Sequence, residues 1–362
     1  MSNITESLNQ RTFLFPRADF ASDGQKQIVQ SIMTMHGLSV LDKIKLIDEN
    51  DDYDSFLVEA GEVGLCLKMS FDKVPIYYDF LILKGIEELS IAPKPIDRNE
   101  ILVGDKMVYY TLQTFEYSEN LLSLGNSSIL ESEYYLFNDR IKSLHTFKIP
   151  SLAHQYLDNT ESYLNYHNIN FSNLTKYIDE YETVDFRFVK DLYTEVFQEM
   201  FSYFLLNKNK LQTQNLVHGN LDSSTVISNS YDFKFINFEN AFIGSHYFDL
   251  ANLVFELQMS GIKEFDFISK KIKLYEITDN RLKAGKYLEE YKICKHIWTR
   301  KKFLDIISEY IKEVLILNRD RKDKLIKLGH NFSTHFYRFD DIKAFSKNRD
   351  LFVSKFSELI LT

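Results

Sequence analysis

The chain has 362 residues, enough for two domains or for one large domain with a small lobe attached. Hydrophobic residues make up 44% and charged residues 26%, with a net charge of −9 and no long Lys/Arg run, which argues against nucleic acid or an anionic membrane as the main partner. No apolar stretch approaches the roughly 18 residues that span a bilayer, and MSNITESLNQRTFLF lacks the basic segment and apolar core of a secretory signal, so a cytoplasmic protein is expected. Cys66 and Cys294 stand far apart in apolar surroundings and read as two buried thiols.

Residues 1–38 read as an N-terminal extension, with a helix in DGQKQIVQSIMTMHG that ends at Gly37. KIKLIDEN, DSFLVEAG and EVGLCLKMSF follow as short alternating runs, the pattern of a β-meander. In PIYYDFLILKGIEELS, Tyr78, Leu81, Ile82 and Ile86 keep helical spacing, and Pro75 suits the first turn. EILVGDKMVYYTLQTF predicts a hairpin turning at Gly104 and Asp105. Strands, helix and strands over 39–116 describe a small α+β lobe; 117–362 describes a larger helical one. Within it, SEYYLFNDRIKSLHTF predicts a helix ending before Pro150, and 151–185 is a polar, Asn- and Tyr-rich insertion expected to hold short helices. FVKDLYTEVFQEMFSYFLL is a long amphipathic helix, and YFDLANLVFELQ and KYLEEYKICKHIWTRKKFLDIISEYIKEVLIL predict further helices.

Two short apolar strands, each running into a turn with an exposed asparagine, carry the site. They are LVHGNLDSSTVI and FKFINFENAF, which place Asn220 and Asn237 seventeen positions apart. The layout resembles the aminoglycoside phosphotransferase and choline kinase group, whose fold is that of protein kinases. That group's loop reads H-G-D-x-x-x-x-N and its second motif I-D-W/F-E. His218 and Gly219 match, while Asn220 stands at the catalytic Asp and Thr225 at the metal-binding Asn. Ile236, Phe238 and Glu239 match the second motif, and Asn237 replaces its Mg²⁺-binding Asp. YFDLANLV resembles the group's D-L-A helix start, with Asp249 the matching acid and expected helix cap. SLHTF, with His145, and IAPKPI are similar to two further segments. The resemblance puts Lys68 at the ATP-contacting strand lysine, Asp79 at its helix partner, and Gln113 to Phe115 along the nucleotide. It also puts Tyr291, His296, Trp298 and Arg300 where the group builds its acceptor pocket, although an ordinary half-buried helix explains that stretch equally well.

The departures bear on chemistry. Phosphoryl transfer needs Mg²⁺ on the phosphate oxygens and a group that orients the nucleophile and takes its proton. An asparagine has the shape of an aspartate, but its carbonyl is a neutral ligand and its amide accepts no proton. Loss of a general base alone costs about 10² to 10⁴ in rate, and neutral oxygens weaken a hard-cation site. The first hairpin departs as well: LIDENDDYDSF carries Asp48, Glu49, Asp51, Asp52 and Asp54 and no glycine, so it is no phosphate cradle.

The resemblance therefore implies a two-lobed, kinase-like α+β fold and a pseudokinase impaired in Mg²⁺-dependent phosphoryl transfer. Such a protein acts by binding a nucleotide, a small ligand or a partner protein. Lys68, Asp79, Gln113 and Phe115 would hold ATP or another nucleotide; Asn220 and Asp222 form the altered catalytic loop; Thr225, Asn237 and Glu239 stand at the metal positions, where Mg²⁺ is disfavoured. The alternative is an active ATP-dependent small-molecule or peptide kinase that uses Asp222 or Glu239 in place of the usual acids. His218 is expected to brace its loop rather than to react, and His36, His154 and His335 show no metal spacing.

Overall fold

In the computed structural model, residues 23–49, 53–115, 119–120, 131–147, 157–180, 187–211, 214–222, 225–229, 232–259 and 284–315 are described, with 339, 341–347, 349–351 and 354 beyond them. The chain divides into two compact units. The first comprises Met1–Tyr156 with His218–Ala241; the second comprises Leu157–Val217 with Phe242–Thr362. The loop and turn that carry the two asparagines thus belong to the same unit as the strand lysine.

The first unit opens with α1 (Asp23–Met35), followed by strands β1 (Lys43–Glu49), β2 (Asp54–Ala60) and β3 (Val63–Ser70), helix α2 (Lys73–Ile86), and strands β4 (Pro95–Val103) and β5 (Lys106–Thr114). The five strands form one antiparallel sheet in the order β1-β2-β3-β5-β4. Side chains alternate across a strand, so each face collects every second residue. Phe56, Val58, Leu65, Leu67, Met69, Val108, Tyr110 and Leu112 fall on one face, where Ile28, Val29, Ile32 and Met33 of α1 complete a hydrophobic core. The supposed extension therefore contributes a helix to the core of the sheet. Helix α1 stops at Met35, two residues short of the sequence expectation, and Gly37 takes a positive φ of 80° where the chain turns back to the sheet.

The other face carries a polar row. Lys68 lies opposite Ser55 on β2 and Thr111 on β5, and Cys66 lies opposite Leu57 and Gln113. Helix α2 belongs to this side, since its Asp79 pairs with Lys68. It begins where Asp72 Oδ1 accepts the Val74 N–H at 3.0 Å, which satisfies one of the free donors of a helix start. The same unit holds β6 (Glu119–Asn120), helix α3 (Glu131–Thr146), β8 (Val226–Asn229) and β9 (Asp232–Phe235), with β7 (Asn215–Val217) belonging to the second unit. Helix α3 packs Phe137 edge-on to Phe233, ring centroids 5.2 Å apart, and Arg140 Nε donates to Asp232 Oδ1 at 2.7 Å.

The second unit contains α4 (Thr160–Glu180), α5 (Arg187–Asn207), β7 (Asn215–Val217), β10 (Phe242–Gly244), α6 (Tyr247–Met259) and α7 (Ala284–Leu315). Strands β7 and β10 pair antiparallel. Where the sequence suggests short helices, residues 160–180 form one helix of 21 residues. Among its described side chains Tyr163, Leu164 and Phe171 are buried, in a segment whose sequence is polar and weakly periodic. They join a core with Val189, Tyr193, Met200, Phe248, Trp298 and Phe303. Asp249 is not the cap of α6: it stands inside the first turn, and Ser245 Oγ accepts the Tyr247 N–H at 3.4 Å instead. Cys66 and Cys294 are both free and buried. Among the described residues no helix is long and apolar enough to cross a membrane. His154, His335, Asp51 and Asp52 lie outside the described residues.

Candidate nucleotide site

The loop after β7 closes on itself. His218 is fully buried, and its Nε2–H donates to the Ile236 carbonyl at 2.9 Å while Nδ1 accepts the Asn220 N–H at 3.4 Å. Because the Ile236 oxygen can only accept, these two bonds require the neutral ring with its proton on Nε2. A ring so engaged holds the loop to the second motif. Gly219 makes this possible. Its φ is 80°, and a Cβ there would lie 1.9 Å from the Asn240 carbonyl oxygen, so the backbone passes where no side chain fits.

Thr225 and Asp222 lock the other end of the loop. Thr225 Oγ1 donates to the Asn220 carbonyl at 2.8 Å and accepts the Asp222 N–H at 2.9 Å, while Asp222 Oδ1 accepts the Thr225 N–H at 3.1 Å. The Thr225 hydroxyl is thus engaged inside the loop, and Asp222 serves as a turn-forming carboxylate.

The second cluster centres on Lys68, which is 1% exposed. Its Nζ donates to Asp79 Oδ2 at 2.7 Å and to Asn237 Oδ1 at 3.0 Å. Tyr53 provides a longer contact, its hydroxyl at 3.5 Å and its ring centroid 4.6 Å from the ammonium. The other oxygen of Asp79 accepts the Phe238 N–H at 2.8 Å, and Tyr78 donates its hydroxyl to the Ala241 carbonyl at 2.7 Å. Helix α2 thus grips the turn at residues 237–241 twice. Asn237 adopts a left-handed backbone with φ of 67°, a conformation asparagine tolerates better than most residues. Burial by itself disfavours the charged form of Lys68. Asp79, by charge and hydrogen bond, and then Glu239 more than offset that penalty, so its pKa stands above the ordinary lysine value.

These bonds bring together most of the residues expected from the sequence. Lys68, Asp79 and Asn237 form one network, Asn220, Asp222 and Thr225 another, and Glu239 sits in the turn within electrostatic reach of Lys68. Gln113 is buried on β5 opposite Cys66, and the Phe115 N–H donates to the Gly64 carbonyl at 3.0 Å. Two members of the arrangement are not legible in the sequence. Tyr53 is 1% exposed and stands inside an acidic run whose charges hide it. Thr111 becomes visible only once the strand register pairs it with Lys68. Among the described residues, no three His, Cys, Asp or Glu side chains converge as metal ligands.

The residues of α7 that the resemblance puts in an acceptor pocket belong to packing within the second unit. Trp298 is buried and donates its Nε1–H to Asn252 at 2.9 Å. Buried Arg300 donates two hydrogen bonds to Glu199 Oε1 and one to Asp341 Oδ2 at 3.2 Å. His296 lies against Tyr203, ring centroids 3.9 Å apart; burial and then the Arg300 charge push its pKa down to about 4.

A sheet lysine paired with a helix carboxylate, and a loop and turn braced against them, are the framework of a kinase-like α+β fold. The chain has this fold in the form found in aminoglycoside phosphotransferases. A thermostable aminoglycoside phosphotransferase APH(4)-Ia superposes with a TM-score of 0.52 at 11% identity, over 77% of this chain and 92% of that one. Spectinomycin phosphotransferase APH(9)-Ia, solved with ADP and spectinomycin, gives 0.53 at 11% identity over 86% and 94%. A GDP complex of an aminoglycoside 2′-phosphotransferase IIIa variant gives 0.56 at 12% over 86% and 98%. At such identities the likeness is one of fold. No protein-family model and no curated protein sequence matches the chain.

Proposed function

We propose that this chain is a pseudokinase-type protein of the aminoglycoside phosphotransferase fold that binds a nucleotide, a small ligand or a partner protein without Mg²⁺-dependent phosphoryl transfer. The observation that carries the reading is the Asn237 side-chain carbonyl on Lys68, 3.0 Å away. A neutral amide there satisfies the lysine directly and offers a cation no charge. The rest of the donor set points the same way: Thr225 Oγ1 is engaged by Asn220 and Asp222, and Asn220 cannot take a proton. These residues do not fit a hard divalent cation, which favours several oxygens with carboxylates among them. Nucleotide binding is supported by the ADP and GDP seen in proteins of the same fold.

A second reading, an ATP-dependent kinase with a rearranged metal site, draws on Glu239, whose charge reaches Lys68. Asp222 lends it less support, since that carboxylate is bound to the Thr225 N–H. Thermal unfolding with ATP, with and without Mg²⁺, separates the readings. Saturation at about 100 Kd stabilises by about 2.7 kcal/mol. The proposal expects a shift that is the same in EDTA, or no nucleotide shift in a chain that binds a partner protein. A shift that requires Mg²⁺ would overturn it in favour of the kinase. In the double substitution N220D/N237D, ATP turnover is expected to rise from background if a phosphotransferase scaffold has been inactivated.

A further inference from the structure

We infer that the open β4 edge of the five-stranded sheet is a docking surface for a second copy of this chain. Strand β4 of each copy lies antiparallel to the other about a two-fold axis at Asn99. This holds whether or not the chain binds a nucleotide.

The first ground is an unpartnered ladder. In the order β1-β2-β3-β5-β4 the last strand is bonded only to β5 among the described strands, and Ile96, Arg98, Asn99, Glu100 and Leu102 are exposed. A strand bonds its neighbour through alternate residues and turns the N–H and C=O of the others outward. The Asn99 side-chain oxygen accepts the Glu100 N–H at 2.9 Å in an exposed bond, so Glu100 is one of the outward residues, and alternation adds Arg98 and Leu102. Such an edge is a template for a further strand unless lysine, proline or a bulge blunts it. Pro95 and a bulge between Pro95 and Asp97 stand at one end only, and the register from Asp97 to Val103 is regular.

The second ground is that this edge is complementary to itself. A two-fold at Asn99 sets Arg98 opposite Glu100 of the second copy and Glu100 opposite its Arg98, with Leu102 coming up against Ile96 at the margins. Arg98 and Glu100 stand opposite Thr111 and Tyr109 of β5, on the side of α2. They are also the outward residues, so the pairs that bond through the backbone are the pairs of opposite charge. Among the described residues neither makes an ion pair within the chain. Arg98 lies over the Tyr77 ring, 5.0 Å from its centroid, and over Phe80 at 5.7 Å, which holds the guanidinium on that face. Opposite charges directly across a strand pair stabilise it, and like charges destabilise it. A contact of this kind uses the same patch on both copies and closes as a dimer. The β1 edge offers no equivalent: its register breaks between Leu46 and Asp48, and Lys43 is already paired with Glu59 at 3.4 Å.

The experiment is sedimentation velocity of the full chain over about 1 to 200 µM, a range suited to the small interface of a strand pair. The unaltered chain is expected to pass from one copy to two as concentration rises. Arg98→Glu and Glu100→Arg each set like charges opposite one another twice, and each is expected to weaken association at least about tenfold. An equimolar mixture of the two variants restores opposite charges in both pairs and is expected to dimerise as the unaltered chain does. A folding defect or a contact elsewhere would not give that recovery. If Arg98→Glu, which also gives up its contact with Tyr77, does not fold, Glu100→Arg carries the comparison with the unaltered chain. A chain that stays single over the whole range, variants that associate as well as the unaltered chain, or a mixture as weak as its components overturns the inference.

Discussion

Lys68 holds its charge at 1% exposure because Asp79, itself fully buried, stands 2.7 Å away. Removing one partner of such a pair strands the other charge in a medium that cannot solvate it. Lys68→Met is therefore expected to cost about 3–5 kcal/mol in urea unfolding at neutral pH. Lys68→Met with Asp79→Asn, which keeps an acceptor for the Phe238 N–H, should recover more than half of that. Equal losses in the single and double variants would show that the pair does not act as a unit. The sign of the pH effect follows from the raised pKa: the stabilisation is whole below the unfolded lysine value of 10.5 and is lost as pH rises through the folded one. Alkaline unfolding should thus steepen above about pH 10.5, and the Lys68→Met protein should lack this component. His296 works in the opposite direction. Its folded pKa of about 4 lies below the ordinary 6.5, so its contribution is present above 6.5, falls as pH drops through that window and levels off below 4. For a half-buried ring we expect about 1–2 kcal/mol, after allowing for solvent screening, and His296→Gln should flatten that slope.

At the scale of elements, the loop at 218–225 shows how a short motif builds a fixed shape. Gly219 combines a positive φ with a close approach to the Asn240 carbonyl, whereas Gly104 has a positive φ of 65° and nothing within 4 Å of where a methyl would stand. Gly219→Ala is expected to cost about 2–4 kcal/mol, and Gly104→Ala only about 1 kcal/mol, in the same denaturant assay. Similar losses at both sites would mean that the Asn240 backbone yields. Much of this loop is legible in the sequence, because glycine, histidine and a hydroxyl or amide at fixed spacing each serve a local hydrogen bond. The continuous helix α4 is less legible, because its segment is rich in Asn and Tyr and weakly periodic, although Tyr163, Leu164 and Phe171 among its described side chains are buried. Asp249 reads as the cap of α6 for a related reason. An acid near a helix start fits the cap and the first turn equally, and only backbone geometry separates them.

At the scale of the molecule, helix α1 forms part of the core of the first unit. Ile28, Val29, Ile32 and Met33 are at most 9% exposed, and they cover the apolar face of the sheet. Burial of four such side chains is worth on the order of 6 kcal/mol or more, an amount comparable to the whole stability of an ordinary domain. A chain starting at residue 39 is expected to lose cooperative unfolding of the first unit and to expose the sheet to aggregation, as read by the urea transition and soluble yield. An unchanged midpoint would show that α1 is dispensable.

What the sequence by itself determined was local. Alternation marked the strands, and the H-G and I-x-F-E remnants marked the loop and turn. The residue types at 220 and 237 put neutral amides where the resembled motifs carry aspartates, since that is a matter of composition and no folding can alter it. What only the tertiary structure decided was which of these groups meet. Lys68 and Asn237 are 169 residues apart, and their bond depends on the grip of α2 on the turn. The register of β3 on β5 alone places Thr111 and Gln113 opposite Lys68 and Cys66. Strand pairing and sheet face are set by the burial of the opposite, apolar side against α1. The polar row is thereby positioned by residues that take no part in its chemistry.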